Sequence, residues 1–167
     1  MTRTLFILRH AKSDYPAGVA DIDRPLAARG RRDAPAAGQW LADADVTQAV
    51  ISPARRTRQT WQLASAQWDA EVPTAIDDRI YAAHPDELLQ VVRSVGGDPA
   101  RLVLVGHNPG CEELAELLAG PGSDEGALAR LQIKFPTAAI AVINSDLPWA
   151  DWRSGSARLT DFVVPRG

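Results

Sequence analysis

The chain has 167 residues, 46% hydrophobic and 23% charged, the balance of an ordinary globular protein long enough to bury a sizeable core. Lys and Arg total 18 against 21 Asp and Glu, a net charge of -3, which argues against a general nucleic-acid binder but leaves room for a local basic pocket. A single cysteine, Cys111, excludes an intrachain disulfide, and no stretch approaches the roughly 20 apolar residues of a membrane span.

The N-terminal "MTRTLFILRH" has too short an apolar core for a signal peptide, so the expectation is one domain over residues 1–167, in the cytoplasm. Within it, "TLFILRH" (4–10) runs from Leu5 to Leu8 without alternation and ends abruptly in Arg9 and His10. Such a run predicts a strand covered on both faces. Asp23 and Arg24 follow as an expected salt bridge. "PLAARGRRDAPAAGQWLADAD" (25–45) is Ala-rich and predicts a helix that Pro35 interrupts or begins.

"QAVISP" (48–53) is a second buried strand, and "RRTRQTWQLASAQW" (55–68) sets Thr57, Thr60, Trp61, Ala64 and Trp68 at helical spacing. "HPDELLQVVRSVGG" (84–97) has Pro85 early, acids in its first turn and Gly96 after its end, a helix with start and stop signals. "RLVLVGHNPG" (101–110) is the third strand. "CEELAELLAG" (111–120) places Leu114, Leu117 and Leu118 on one helix face, and "GPGSDEGA" (120–127) reads as a flexible loop. "AAIAVINSD" (138–146) and "ARLTDFVVP" (157–165) are further strands near an edge. Strand followed by helix, repeated, predicts an α/β fold, a three-layer α/β/α sandwich with a mostly parallel central sheet. Cys111 and the five Trp residues are assigned to packing.

In open parallel sheets ligands bind beyond the carboxyl ends of the strands. That rule gathers Arg9-His10, the Ser52–Arg56 turn and His107-Asn108 into one site. Arginine presents a rigid charged fork suited to phosphate. Histidine serves as nucleophile or as donor to phosphate oxygens, and neighbouring cations favour its neutral, nucleophilic form. Position and residue type therefore point to phosphate chemistry. "GHNPG" lacks the ending of a P-loop, and no H-E-x-x-H, paired aspartates or CxxC supports a metal site, so neither metal nor cofactor is expected.

"LRHAKSD", "DRPLAARG", "SPARRTRQT" and "VGHNPG", in that order, resemble the histidine phosphatase (phosphoglycerate-mutase-like) superfamily, with its small bacterial phosphohistidine phosphatase branch nearest in appearance. "KFPTAAIAVI" (134–143) extends the likeness over nearly the whole chain. The resemblance implies that His10 is the phosphate-accepting nucleophile and that Arg9 binds the phosphoryl group. It selects Arg56, four residues after Ser52, over Arg55 and Arg58, and makes His107 the second pocket histidine. Lys12, Ser13 and Asn108 are expected to line the substrate.

The chain departs from the family pattern in two places. Ala11 stands where many relatives have glycine. Asn108 stands where one branch has the aspartate that protonates the leaving group; Asp77, Asp78, Asp86 and Glu87 are the acids in the segment where the other branch carries a glutamate. Enzymic proton donation is typically worth about 10²–10⁴-fold and matters most for an alkoxide leaving group. Its absence favours phosphohistidine, in a protein or a small phosphoramidate, over phosphate esters. The resemblance also suggests a phosphotransfer protein as partner. A phosphatase of small monoesters, a non-catalytic phospho-residue binder and a metallohydrolase are the competing readings.

Overall fold

The computed structural model describes residues 1–167. Six strands form one sheet: β1 (Arg3–Arg9), β2 (Gln48–Ile51), β3 (Thr74–Ile76), β4 (Arg101–Gly106), β5 (Ile140–Ser145) and β6 (Arg158–Val163). Their spatial order is β3-β2-β4-β1-β5-β6. The first four run parallel, while β5 and β6 are antiparallel additions on the β1 side. Five α-helices cover the two faces: α1 (Ala28–Ala42), α2 (Arg55–Ser65), α3 (Pro85–Arg93), α4 (Gly110–Leu118) and α5 (Glu125–Ile133). No helix is long and apolar enough to cross a membrane.

Uniformly apolar strands are what a sheet covered on both sides requires. Leu5 and Ile7 of β1 join Leu102 and Leu104 of β4 in a core with α3, α4 and α5, through Leu88, Leu114 and Leu131. Phe6 and Leu8 point the other way, with Val103 and Val105, onto Ala37 and Leu41 of α1 and Trp61 of α2. Trp149 and Trp152 pack against each other with ring centroids 4.6 Å apart, both buried, so these large side chains are consumed by packing.

Three local expectations change, and one strand was not foreseen. Helix α1 continues through Pro35 because Ala34, Ala37, Gly38 and Leu41 are buried along it, and that packing outweighs one missing backbone bond. The loop expected over 120–127 ends earlier: Asp124 caps α5, its carboxylate accepting from the Ala127 amide at 2.7 Å. Strand β3, three exposed residues on the edge, is too short to leave a periodic signal. Arg24 pairs with Asp21, not Asp23, because Asp21 and Asp23 lie in a 3-10 turn that turns only the former back onto it.

The α1–α2 crossing depends on Gly38. A β-carbon there would fall 1.8 Å from the Ala64 carbonyl oxygen, a backbone atom that cannot swing aside. Gly38→Ala is therefore expected to lower stability by about 2 kcal/mol or more in a urea titration, despite alanine's better helix propensity. An unchanged midpoint would show that the helices separate freely.

Candidate active site

Parallel register brings the expected residues together. Arg9 pairs with Gly106 and Ile51 with Val105, so the residues that follow (His10, His107 and Ser52) emerge side by side at the carboxyl ends of β1, β4 and β2. Backbone bonds carry the alignment past the strands, from His10 N to Gly106 O at 3.0 Å and from Ser52 N to Val105 O at 3.1 Å. The rings of His10 and His107 lie 5.4 Å apart between centroids.

His10 is 7% exposed, and its Nδ1 is 2.7 Å from the carbonyl of Ala11. A carbonyl only accepts, so Nδ1 carries the hydrogen and Nε2 keeps its lone pair. The loop is braced by Thr60, whose Oγ1 accepts from Ala11 N at 3.0 Å and donates to the Arg56 carbonyl at 2.7 Å. Burial pushes the His10 pKa down to about 3, with His107, Arg56 and Arg9 pressing in the same direction. At neutral pH this ring is uncharged, with its lone pair on Nε2.

His107 is set by Ser52. Its Nε2 lies 2.7 Å from Ser52 Oγ, while Ser52 Oγ also accepts from Ala54 N at 3.3 Å. Burial, then Arg56, pushes the His107 pKa down to about 4. A neutral ring receiving the serine hydrogen at Nε2 presents N–H at Nδ1, and that atom is buried without a protein partner. Arg9 Nε and Arg56 Nε share this condition, so three of the molecule's four unpartnered buried side-chain atoms are nitrogens of this one site. Buried donors left unpaired are costly, and their convergence is the signature of an anion seat.

Each arginine is anchored by its far end. Arg9 Nη1 donates to the Phe135 carbonyl at 2.8 Å. Arg56 donates from Nη1 to the Asp21 carbonyl at 2.7 Å and from Nη2 to Asp21 Oδ2 at 3.1 Å. Arg24 donates from Nε to Asp21 Oδ1 at 3.1 Å and from Nη1 to Ser13 Oγ at 2.9 Å. The hydroxyl of Tyr81 donates to Asp21 Oδ2, and its ring meets His107 edge-on at 5.6 Å. The Tyr81 hydroxyl first, then Arg24 and Arg56, pulls the Asp21 pKa down to about 2.

The remaining expected residues fall on the periphery. Lys12 is exposed, Ser13 is buried beneath Arg24, and Asn108 has its amide engaged by the Phe135 carbonyl at 3.4 Å and the Glu112 amide at 3.3 Å. Among the candidate acids, Asp77 is held by Arg79 at 2.6 Å, and Glu87 caps α3 by accepting from His84 N at 3.0 Å. Sequence reasoning missed Asp21 and Tyr81. Asp21 stands three residues before Arg24, just outside the quoted "DRPLAARG" (23–30), and nothing marks Tyr81. No three His, Cys, Asp or Glu side chains gather as a metal-binding group.

The two buried rings make stability sensitive to acid. An unfolded histidine titrates near 6.5, whereas these titrate near 3 and 4. Between those limits the unfolded chain binds protons that the folded chain refuses, so stability falls as pH drops below about 6.5. From pH 6.5 to 5, where carboxylates contribute little, the expected loss is about 2 kcal/mol for each ring. His10→Ala should remove its share, which denaturant melts at the two pH values will reveal; an unaltered slope would contradict the buried neutral ring.

The chain is similar to known proteins in sequence and in fold. A family model described as the histidine phosphatase superfamily (branch 1) matches residues 5–83. An uncharacterized protein of Mycobacterium tuberculosis is 44% identical over 162 residues, covering 95% of this chain and 100% of its own length. A solved structure from Nakamurella multipartitia, named a candidate phosphohistidine phosphatase SixA, is 33% identical with a TM-score of 0.86, covering 99% of this chain and 97% of that one. Another so named, from Agrobacterium tumefaciens, is 29% identical with a TM-score of 0.81 and covers 98% of both chains.

Proposed function

The chain belongs to the histidine phosphatase superfamily, and from that premise we propose that it cleaves the P–N bond of phosphohistidine, in a protein or a small phosphoramidate, through a covalent phosphohistidine at His10. His10 Nε2 attacks phosphorus while Arg9, Arg56 and His107 donate hydrogen bonds to the phosphoryl oxygens. Those donors stabilise charge in a loose transition state that asks the protein mainly for position and electrostatics. Water then takes the phosphoryl group from His10 and restores the neutral ring. An exposed phosphohistidine on a cytoplasmic phosphotransfer protein is the kind of substrate that the resemblance suggests.

The observation that carries the choice of bond is the state of Asp21. It is the carboxylate that the fold brings against Arg56, and with a pKa near 2 it has no proton to give an alkoxide. An ester would lose the benefit of general acid catalysis. A phosphorylated imidazole protonated on its other nitrogen leaves as a neutral ring and needs no such donor. The names borne by the Nakamurella and Agrobacterium structures support the same bond.

The test is hydrolysis of a phosphohistidine peptide and of p-nitrophenyl phosphate side by side, with EDTA present. The expected result is a kcat/KM at least about tenfold higher for the peptide, a selectivity of one hydrogen-bonding contact. Turnover is expected to survive EDTA. Preference for the ester would overturn the reading.

A further inference from the structure

The site has a floor and a rim. His10, Arg56 and the Nδ1 edge of His107 are buried, whereas the Asp21 side chain is 56% exposed. In an in-line displacement the leaving group departs from the face of phosphorus opposite His10 Nε2, which is the rim side. Asp21 lies one guanidinium away from the phosphoryl seat, because Arg56 gives both terminal nitrogens to Asp21 and keeps Nε free.

An ionised carboxylate has about four acceptor positions. At Oδ2 two are filled, by Arg56 and by Tyr81; at Oδ1 one is filled, by Arg24 Nε. The position left is on Oδ1, in a side chain that is more than half exposed. Three donors from three parts of the fold therefore hold the carboxylate still at the rim of the site.

Resting on the phosphohistidine reading, we propose that Asp21 is a catalytic residue whose carboxylate accepts the N–H of the leaving imidazole's unphosphorylated ring nitrogen and keeps that ring protonated while the P–N bond breaks. The bond from His10 Nε2 to phosphorus forms and the substrate P–N bond breaks. Its electron pair returns to the substrate ring, which leaves as neutral imidazole still carrying the proton on its other nitrogen. No proton passes to Asp21. The charged groups facing the carboxylate are Arg24 on its own turn and Arg56 on α2, with the phenol of Tyr81 at hydrogen-bond distance and the His107 ring acting on it through space. This role selects a leaving group with an N–H opposite the scissile bond, which a sugar or glycerol ester lacks.

The experiment compares phosphoimidazole with p-nitrophenyl phosphate, whose leaving group departs without proton assistance, for wild type, Asp21→Asn and Tyr81→Phe. Asp21→Asn is expected to lose about 10- to 100-fold in kcat/KM on phosphoimidazole, the worth of a charge-assisted hydrogen bond, and at least tenfold less than that on the ester. The alkaline limb of its phosphoimidazole profile should move to lower pH by about one unit, since a tenfold weaker hold on the protonated ring is one pKa unit. Tyr81→Phe retains the carboxylate and should keep most of the preference for phosphoimidazole.

Equal losses on both substrates would mean that Asp21 acts only by bracing Arg56, and would overturn the proposal. A gain on both would mean that the carboxylate competes with the phosphoryl group for Arg56, and would also overturn it. Failure of the wild type to turn over phosphoimidazole while hydrolysing the ester would overturn the phosphoramidate reading itself, and this role with it.

Discussion

Replacing His10 with alanine is expected to lower turnover of every phosphorylated substrate by about 10⁴-fold or more, the scale on which enzymes lose activity with their nucleophile. The expectation rests on the ring's tautomer. Its Nδ1 hydrogen is committed to the Ala11 carbonyl at 2.7 Å, so Nε2 is the ring atom that keeps a lone pair. No other side chain duplicates it, because the His107 Nε2 is already occupied by Ser52 at 2.7 Å. A rapid-quench reaction with labelled phosphohistidine peptide should show acid-labile phosphate on the wild-type protein and none on the variant. A variant that retains more than about a hundredth of wild-type turnover would exclude a His10 covalent intermediate.

Arg56→Ala is the second large effect, expected to lower kcat/KM by about 10²–10³-fold, as for the loss of one preorganised donor at a transition-state oxygen. Arg56→Lys should recover little of it. The guanidinium does two jobs with one plane: its terminal nitrogens hold Asp21 at 2.7 and 3.1 Å, and its Nε is left for the phosphoryl group. A lysine ammonium has the charge without the fork. The alanine variant should also let Asp21 titrate higher, since Arg56 is among the groups that hold its carboxylate ionised. Full activity in Arg56→Lys would show that charge alone suffices and that the fork geometry is irrelevant.

Local pattern made the central strands and the first site residues legible. Unbroken apolar runs such as Leu5–Leu8 and Leu102–Val105 belong to strands covered on both faces, and the polar residues that end them lie at a sheet edge wherever the strands are parallel. Arg9, His10, the Ser52–Arg56 turn and His107 could therefore be named together, although they are far apart in the chain, while the choice of Arg56 within that turn came from the family resemblance. The helix α3 was equally plain, because Pro85, its acidic first turn and its buried Leu88, Leu89, Val91 and Val92 all report the same period. Where packing overrode local preference, at Pro35, or where an element had no period to read, as in β3, the pattern misled or fell silent.

What the chain by itself determined is the chemical type of the site: two histidines and a set of arginines delivered to one rim by three strand ends. The tertiary structure alone decided their states. Ser52 and His107 are 55 residues apart, Asp21 and Arg56 are 35 apart, and Asp21 and Tyr81 are 60 apart, so no periodicity could connect them. A tautomer, a depressed pKa and a free acceptor position depend on which dipoles and charges lie within a few ångströms, and those neighbours exist only once the loops are folded over the sheet edge.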